Sequence, residues 1–286
     1  MSRDRREQRI GSRYLPRIIF SVLSVLFVLL AAIFWNIMTA LPWERTTVVV
    51  AGDPVQIVSW DQVRGKLTII PIPADVRIDG VFGVGNLPLA SLRKLEVLDS
   101  KKKDVFLKSL EDTVALPIMG VMGSGVPFPL RFRLWWIRKQ LRPDAVTTVD
   151  LGLQGIFRSD VLPDGSQVRV FDVNRFDAII GSQLEVDTIR REETRVRVVN
   201  TTDALGLGNR AARILSHAGM VVIAVDSEPS VQNECSIHAK QDLWSRQSAR
   251  FVKDVFDCMI TTQDPDERAD VTVRLGTEYA RRFTSD

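Results

Sequence analysis

The chain is poor in the residues that most often carry chemistry. Its 286 residues include only two cysteines and two histidines. These four side chains, at Cys235, Cys258, His217 and His238, do not have the spacing of a zinc site. The sequence also lacks a Gly-x-Ser-x-Gly nucleophile elbow, a His-Glu-x-x-His motif and a phosphate-binding loop. It therefore carries no signature of the common hydrolases, zinc enzymes or P-loop proteins.

Beyond its first 17 residues the chain has almost no excess of charge. The tail, residues 1–17, holds six arginines and two acidic residues. Without the tail, 32 basic residues face 33 acidic ones. The positive balance therefore belongs to the tail and does not indicate a nucleic-acid surface, so we predict no nucleic-acid partner.

A long apolar run from Ile18 to Leu41 is the most informative feature that the sequence does have. It contains no charged residue, and as a helix its 24 residues would extend about 36 Å, enough for a hydrocarbon core of about 30 Å. Arginines before a spanning helix stay in the cytoplasm. The alternative, a cleaved signal peptide, has a shorter apolar region of about 7–15 residues. We therefore predict a cytoplasmic tail 1–17, a transmembrane anchor 18–41 in the cell membrane, and an extracytoplasmic remainder.

An extracytoplasmic location makes the two cysteines a candidate disulfide. Cysteines that occur in even number outside the cytoplasm are usually paired. A bridge between Cys235 and Cys258 would close a loop of about 24 residues. The alternative is two free buried thiols that pack as small apolar side chains. We predict the bridge.

The outer part has the pattern of two α/β domains, residues 45–190 and 194–284. The charged stretch 187–194 is the best boundary between them. In the first domain the patterns predict strands at 46–50, 56–60, 66–72 and 168–173, a turn at 61–65, and helices at 107–116 and 130–141.

The second domain is predicted as a small β-α-β-α-β layer fold. Val196 and Val198 alternate with arginines as in a half-buried strand, and a helical pattern from Leu207 ends at Gly219. The continuous apolar run 220–225 suits a strand that is buried on both faces. A second helix and a final strand, Val271 to Leu275, complete the order.

The loop Gly206-Leu-Gly208 imitates a dinucleotide-binding fingerprint. It lies between a strand and a helix, and Asp226 ends the next strand. Five or more residues separate the strand from Gly206, so the tight phosphate-binding turn is missing. The glycines are better explained by a close approach of the helix to the sheet, and we predict no bound cofactor.

The segment 131–142 combines five cations with two tryptophans. Such a mixture is typical of a surface that contacts lipid headgroups or an anionic lipid-linked substrate. The alternative is an ordinary helix that buries Leu134 and Ile137 while the stems of its arginines lie along the surface. The candidate lipid-contact residues are Arg131, Arg133, Trp135, Trp136 and Arg138.

Asp75 and Arg77 follow a predicted strand and form the nearest approach to a catalytic site. A carboxylate and an arginine could together hold a metal ion and a phosphate. The alternative is a structural ion pair within one turn. The sequence does not identify a metal.

Three segments resemble the LytR C-terminal domain of bacterial cell-envelope proteins. They are Val-Arg-Val-Val-Asn-Thr-Thr, Gly-Leu-Gly-Asn-Arg-Ala-Ala-Arg and Ala-Asp-Val-Thr-Val-Arg-Leu-Gly, within residues 194–283. The resemblance covers about 90 residues.

The segment 65–77 is similar to a strand of the LytR-CpsA-Psr domain that ends in Ile-Pro-Arg-Asp. That resemblance implies transfer of a glycopolymer from a polyprenyl-pyrophosphate carrier to peptidoglycan, with arginines on the pyrophosphate and aspartates on magnesium. Only Asp75 and Arg77 occupy motif positions, and Ala74 stands where the family has arginine. We therefore expect a non-catalytic envelope protein that assists wall-polymer assembly or binds wall glycan or a protein partner. The alternative is a residual transferase that uses magnesium.

Overall fold

The computed structural model describes residues 19–35, 44–98, 104–123, 125–228, 232–261, 264–265 and 268–284. The chain divides into two compact units. The smaller unit comprises Met1–Pro42 and Pro127–Gln140, and the larger comprises Trp43–Val126 and Leu141–Asp286. The predicted cytoplasmic tail lies outside the described residues, as do residues 18 and 36–41 of the predicted anchor.

The smaller unit contains two described helices, α1 (residues 19–35) and α4 (Phe128–Gln140). Every described residue of α1 is exposed, and nearly all of them are apolar. Across the described ranges, no helix combines the length and the apolar character that crossing a membrane requires. The anchor from Ile18 to Leu41 therefore stays a prediction.

The larger unit is a mixed α/β structure, as predicted. Its helices are α2 (Leu89–Leu98), α3 (Val105–Val114), α5 (Val173–Ile180), α6 (Asp187–Glu192), α7 (Leu207–Ala218), α8 (Gln247–Phe256) and α9 (Thr277–Ala280). Its strands are β1 (Arg45–Val50), β2 (Val55–Asp61), β3 (Lys66–Ile72), β4 (Arg77–Gly80), β5 (Gly85–Pro88), β6 (Val146–Thr148), β7 (Phe157–Val161), β8 (Gln167–Phe171), β9 (Arg195–Asn200), β10 (Val221–Ser227), β11 (Ser236–Ala239), β12 (Met259–Thr261) and β13 (Val271–Leu275).

Two sheets are built from the first part of the chain. One has the order β1-β2-β3-β6, and the other has the order β5-β4-β8-β7. The predicted turn 61–65 joins β2 to β3: the Asp61 carboxylate accepts a hydrogen bond of 2.9 Å from the Arg64 N–H. Gly65 takes a φ of +62°, which suits a residue without a Cβ. Local turn chemistry therefore sets the register of this hairpin.

The C-terminal sheet has the order β10-β9-β13-β11-β12 and corrects the predicted β-α-β-α-β order. Two short strands, β11 and β12, are added beyond the predicted three. The strand predicted to be buried on both faces is instead the edge strand β10, with Val221, Ile223 and Val225 each 40% or more exposed. A continuous apolar run does not distinguish an edge strand from a central one, because both can be rich in valine and isoleucine.

The two predicted outer domains pack into one unit around a shared core. Ile70 and Phe106 from the first part belong to the same buried cluster as Val198 and Leu215 from the second. The N–H of Phe82 also donates to the carbonyl of Phe283 at 2.7 Å. Residues near the C-terminus thus complete the packing of the first part.

A charged pair lies inside the larger unit. The Arg45 guanidinium donates to Asp61 Oδ2 at 2.9 Å and to Ser59 Oγ at 3.2 Å, and the two charged side chains are only 7% and 6% exposed. Burial lowers the pKa of Arg45, and the attraction of Asp61 opposes that effect. In this buried ion pair, the attraction between the two charges offsets part of the cost of removing them from water.

The predicted disulfide is present. Cys235 and Cys258 are bridged, with a Cα–Cα distance of 4.7 Å. Both residues are buried, and they immediately precede β11 and β12, whose first residues are partners in a parallel pairing. The bridge therefore ties the two added strands together at the start of their pairing.

Candidate functional site: the open face of the β5-β4-β8-β7 sheet

Asp75 lies in the turn between β3 and β4, and its carboxylate is held by Arg169 of β8. Arg169 Nε donates to Asp75 Oδ2 at 3.0 Å, and Nη2 lies 2.6 Å from each carboxylate oxygen. Both oxygens of Asp75 are therefore engaged by a single guanidinium. The side chains are 62% and 49% exposed, so the pair faces solvent.

Arg77 is held by a different partner, Asn86 of β5. Arg77 Nε donates to Asn86 Oδ1 at 2.9 Å, and Nη2 donates to the Asn86 carbonyl. Asn86 Nδ2 in turn donates to Asp79 Oδ1 at 2.8 Å. Asp75 and Arg77 are thus close in the chain, but each is bound to a residue that the sequence did not single out.

Strand β8 lies between β4 and β7, and each of these two neighbours carries an arginine and an aspartate. The side chains of Val168 and Val170 of β8, which we call the valine ridge, lie between them. Val170 of β8 is paired with Arg77 of β4 on one side and with Arg158 of β7 on the other. Asp160 is paired with Val168. The result is a groove of about 310 Å³, whose lining includes Arg77, Asp79, Asn86, Arg158, Asp160, Val168 and Val170.

A second groove of about 360 Å³ shares Arg77 and Val168 with the first. Asp75 and Arg169 also line it. The predicted pair Asp75 and Arg77 therefore does border a common surface. The first groove offers hydrogen-bond donors and acceptors beside the apolar side chains of Val168 and Val170, which suits a ligand rich in hydroxyl groups.

An apolar groove of about 690 Å³ lies beside α2. Its apolar lining includes Val55, Leu89, Val97 and Leu98, and the cations Arg93 and Lys94 also line it. Ala74, directly before Asp75, belongs to the same lining. An apolar groove beside cations is the feature that the transferase interpretation predicts.

Acidic and histidine side chains do not converge on a metal site in the described part of the chain. Within those residues, no three side chains of His, Cys, Asp or Glu come close enough together to hold an ion. Magnesium remains part of the transferase interpretation alone.

Arg213 of α7 connects the C-terminal part of the larger unit to the first part. It donates to the Asp177 carboxylate at 2.6 and 2.9 Å and to the carbonyls of Asp112 and Thr113 at 2.8 and 2.9 Å. His217 Nε2 lies 3.2 Å from Asp177 Oδ1. We call Asp177, Arg213 and His217 the clasp, because it joins α3, α5 and α7.

The clasp predicts a stability loss at acid pH. Burial by itself raises the pKa of Asp177, but hydrogen bonds from Arg213 and His217 outweigh it and hold the pKa below the ordinary 3.8. A depressed pKa stabilises the fold above pH 3.8, and that stability is lost as the pH falls through the folded-state pKa. We expect Asp177→Asn to lower the free energy of unfolding by about 2 kcal/mol at pH 7. The difference in this free energy between wild type and variant should shrink below pH 3.8.

Thermal unfolding of the full chain in detergent across this pH range tests the prediction. Asp242→Asn is the matched control, because Asp242 is exposed and outside the clasp. We expect the control to change the free energy of unfolding by less than about 0.5 kcal/mol. A wild-type advantage over Asp177→Asn that stays constant through the acid range would contradict the assignment.

The glycines of the apparent dinucleotide fingerprint serve helix packing. A Cβ at Gly208 would lie 2.9 Å from Val225 Cγ1, so the first turn of α7 approaches β10 as closely as glycine allows. Gly206 takes a φ of +76° just before the helix, and Gly219 takes +103° at its predicted C-cap. These three positions agree with the packing interpretation.

The predicted lipid-contact residues are all carried by α4. Arg131, Arg133, Trp135, Trp136 and Arg138 therefore belong to the smaller unit, whereas Asp75 and Arg77 belong to the larger.

The C-terminal section matches a known family. Residues 193–279 match the family model described as LytR cell envelope-related transcriptional attenuator, so this section is similar to the LytR C-terminal domain. The predicted resemblance of residues 194–283 to this domain is confirmed over the matched residues. No curated protein matches the chain at a significant level.

Several solved structures are similar to parts of this chain. The transcriptional regulator yvhJ from Bacillus subtilis is 12% identical over 50% of this chain and 97% of its own, with a TM-score of 0.35. The LytR-CPS2A-psr family protein TagT, solved with octaprenyl pyrophosphate lipid, is 10% identical over 47% of this chain and 87% of its own, with a TM-score of 0.31. A transcriptional regulator from Enterococcus faecalis is 10% identical over 62% of this chain and 89% of its own, with a TM-score of 0.32. At such low values these likenesses carry no argument about activity.

Proposed function

We propose that this protein is a membrane-anchored, extracytoplasmic cell-envelope protein that binds a wall glycopolymer without transferring it. The match to the LytR C-terminal domain supports the cell-envelope role. The uncharged run from Ile18 to Leu41 and its arginine flank support the anchor. The observation that carries the non-catalytic part is the engagement of Asp75 by Arg169.

A transferase would need Asp75 to hold magnesium and arginines to clamp a pyrophosphate. Both oxygens of Asp75 accept hydrogen bonds from Arg169, so a metal ion would have to displace a bidentate partner. Two of the nitrogens of Arg77 donate to Asn86 instead of facing an open anion site. Ala74 removes a further clamp, and the loss of one such group typically costs about 3 kcal/mol of transition-state stabilisation.

The open sheet face supports polymer binding. Arg158 and Asp160 stand exposed on β7 with no ion-pair partner among the described residues, next to the ridge of Val168 and Val170. Guanidinium and carboxylate groups exchange hydrogen bonds with hydroxyls, while the valines can pack against the apolar face of a sugar ring. A groove open along the sheet accepts a chain rather than a small enclosed molecule.

Co-sedimentation of the full chain with purified cell walls tests this proposal. We expect Arg158→Ala/Asp160→Ala to weaken binding by roughly a hundredfold or more, because it removes hydrogen bonds of two charged groups, worth about 1.5–3 kcal/mol each. Asp75→Ala should retain binding and cost at most about 1 kcal/mol of stability, since its ion pair is exposed.

Asp242→Ala/Arg250→Ala removes one exposed charge of each sign elsewhere on the larger unit and serves as the control. Unchanged binding in the Arg158/Asp160 variant would refute the assigned face. Loss of binding in Asp75→Ala alone would move the function toward the family's catalytic site. Binding to wall preparations stripped of glycopolymer would point to peptidoglycan, and binding that needs a second envelope protein would point to a protein partner.

A residual glycopolymer transferase is the second candidate, favoured by the apolar groove beside Arg93 and Lys94. Its substrate would be a polyprenyl-pyrophosphate-linked polymer, with magnesium at Asp75. A ligand that binds only the folded state raises its stability by about 2.7 kcal/mol at 100 times the dissociation constant. Thermal unfolding of the full chain with polyprenyl pyrophosphate and magnesium therefore separates the candidates: a clear rise that Asp75→Ala abolishes would favour the transferase.

A further inference from the structure

Helix α4 has two apolar stripes instead of one. Leu130 and Leu134 are buried on one side, with Ile137 half-buried beside them. On the opposite side, side chains three and four residues apart align as an aromatic stripe. Its members are Phe128, Phe132, Trp135 and Trp136, which we call the ring cluster. An ordinary surface helix needs only the aliphatic stripe, so the ring cluster requires a separate explanation.

The ring cluster is continuous with the apolar helix α1. The ring of Phe132 lies 6.4 Å from Phe128, 5.7 Å from Trp135 and 6.2 Å from Trp136, measured between centroids. Phe34 of α1 packs edge-on against Phe132 at 6.5 Å. The rings therefore extend the exposed apolar surface of α1 within the same compact unit.

Much of this aromatic surface faces outward. Phe128 is 66% exposed, Trp135 is 47% exposed and Trp136 is 39% exposed. Leaving large rings in water forfeits the stabilisation that burial of apolar surface provides. A cluster of this kind beside a wholly exposed apolar helix marks a surface that contacts another apolar phase.

The cations near the ring cluster indicate which apolar phase the cluster contacts. The segment 128–142 holds five cations and no acidic residue. Lys139 Nζ lies 4.1 Å from the centroid of the Trp135 ring, so positive charge sits at the edge of the aromatic stripe. Four of these cations, Arg131, Arg133, Arg138 and Lys139, lie on α4.

We propose that α4 is an interfacial helix that binds the surface of a bilayer containing anionic phospholipid. Indole rings favour the headgroup level, where one edge is wet and the other is apolar. Arginine and lysine beside them meet lipid phosphates, and each contributes roughly a fivefold gain in binding near an anionic surface. This contact goes beyond the proposed function, because it adds a second lipid contact that does not depend on wall-polymer binding.

The exposure of the two α4 tryptophans to acrylamide tests the proposal. The full chain is placed in nanodiscs of phosphatidylcholine alone or of phosphatidylcholine mixed with phosphatidylglycerol. Subtracting the signal of Trp135→Phe/Trp136→Phe isolates these two indoles. We expect acrylamide quenching of the pair to fall in anionic discs and to recover at high salt, which screens the attraction.

A charge variant provides the second arm. Arg131→Gln/Arg138→Gln/Lys139→Gln should weaken the contact by roughly a hundredfold, so that quenching in anionic discs returns to its value in neutral discs. Lys240→Gln/Arg250→Gln/Lys253→Gln removes the same charge from exposed positions of the larger unit and should leave the shielding intact. Glutamine has a helix propensity close to that of arginine and lysine, so the helix is retained.

Three results would overturn the proposal. Equal quenching of the wild type in neutral and anionic discs would remove the role of lipid charge. An equal loss of shielding in the control triple variant would show a general charge effect. Shielding in detergent that grows with protein concentration would mean that a second copy of the chain covers the ring cluster instead.

Discussion

Replacing Arg45 by methionine is expected to lower the free energy of unfolding by about 4 kcal/mol. The buried Asp61 carboxylate would keep only the more distant cation of Arg64, whose Nε lies 4.0 Å from Asp61 Oδ2. The Asp61 side chain is only 6% exposed, so water does not replace the lost guanidinium. Methionine keeps much of the apolar volume of the arginine stem and limits the cavity contribution. Urea unfolding of the full chain in detergent measures the change.

Two companion variants separate the buried charge from other causes. Arg45→Met/Asp61→Asn should recover more than half of the loss, because the introduced asparagine is neutral and still accepts the hydrogen bond from Arg64. Arg169→Met breaks an exposed arginine–aspartate pair and should lower the free energy of unfolding by at most about 1 kcal/mol. A loss in Arg45→Met no larger than that in Arg169→Met would contradict the burial argument.

Removal of the disulfide is expected to lower the free energy of unfolding by about 3 kcal/mol. This is the value that loop-closure entropy predicts for a loop of this length. The bridged cysteines are 23 residues apart, and their closure restricts the unfolded chain. Alanine at both positions avoids placing new hydroxyl groups at buried sites. The measurement is the free energy of urea unfolding of Cys235→Ala/Cys258→Ala under oxidising conditions.

The reduced wild type is the natural comparison for this variant. Reductant should bring the wild type to the stability of the double alanine variant, and it should have no effect on the variant itself. Free thiols in wild-type protein purified under oxidising conditions would contradict the bridge. So would equal stabilities of the oxidised wild type and the variant.

Elements with a strong local signal were predictable from the sequence. The turn at 61–65, the helix that ends at Gly219 and the strand Val271–Leu275 lie where turn chemistry and periodicity place them. The short strands β11 and β12 had no such signal, because three or four residues are too few to show a period. Their pairing depends on contacts distant in sequence, including the disulfide.

The candidate site was only half predictable. Asp75 and Arg77 could be found from one segment, but their partners Arg169 and Asn86 come from strands that only the fold brings alongside. A weak signal existed in β8, where Gln167 and Arg169 alternate with valines and so must share one face. Nothing in that alternation says which acidic residue Arg169 meets, because partner choice is set by the parallel pairing of β4 and β8.

The hydrogen bond from Phe82 to the carbonyl of Phe283 has a consequence for biogenesis. A ribosome makes the chain from its N-terminus, and domains generally fold as they emerge. Here the turn after β4 gains its last backbone partner only when the residues after β13 have been made. The first part of the larger unit must therefore wait, with part of its core uncovered, until the residues after β13 have been made. Nascent chains of this protein should depend on chaperones for longer than chains whose domains close one after another.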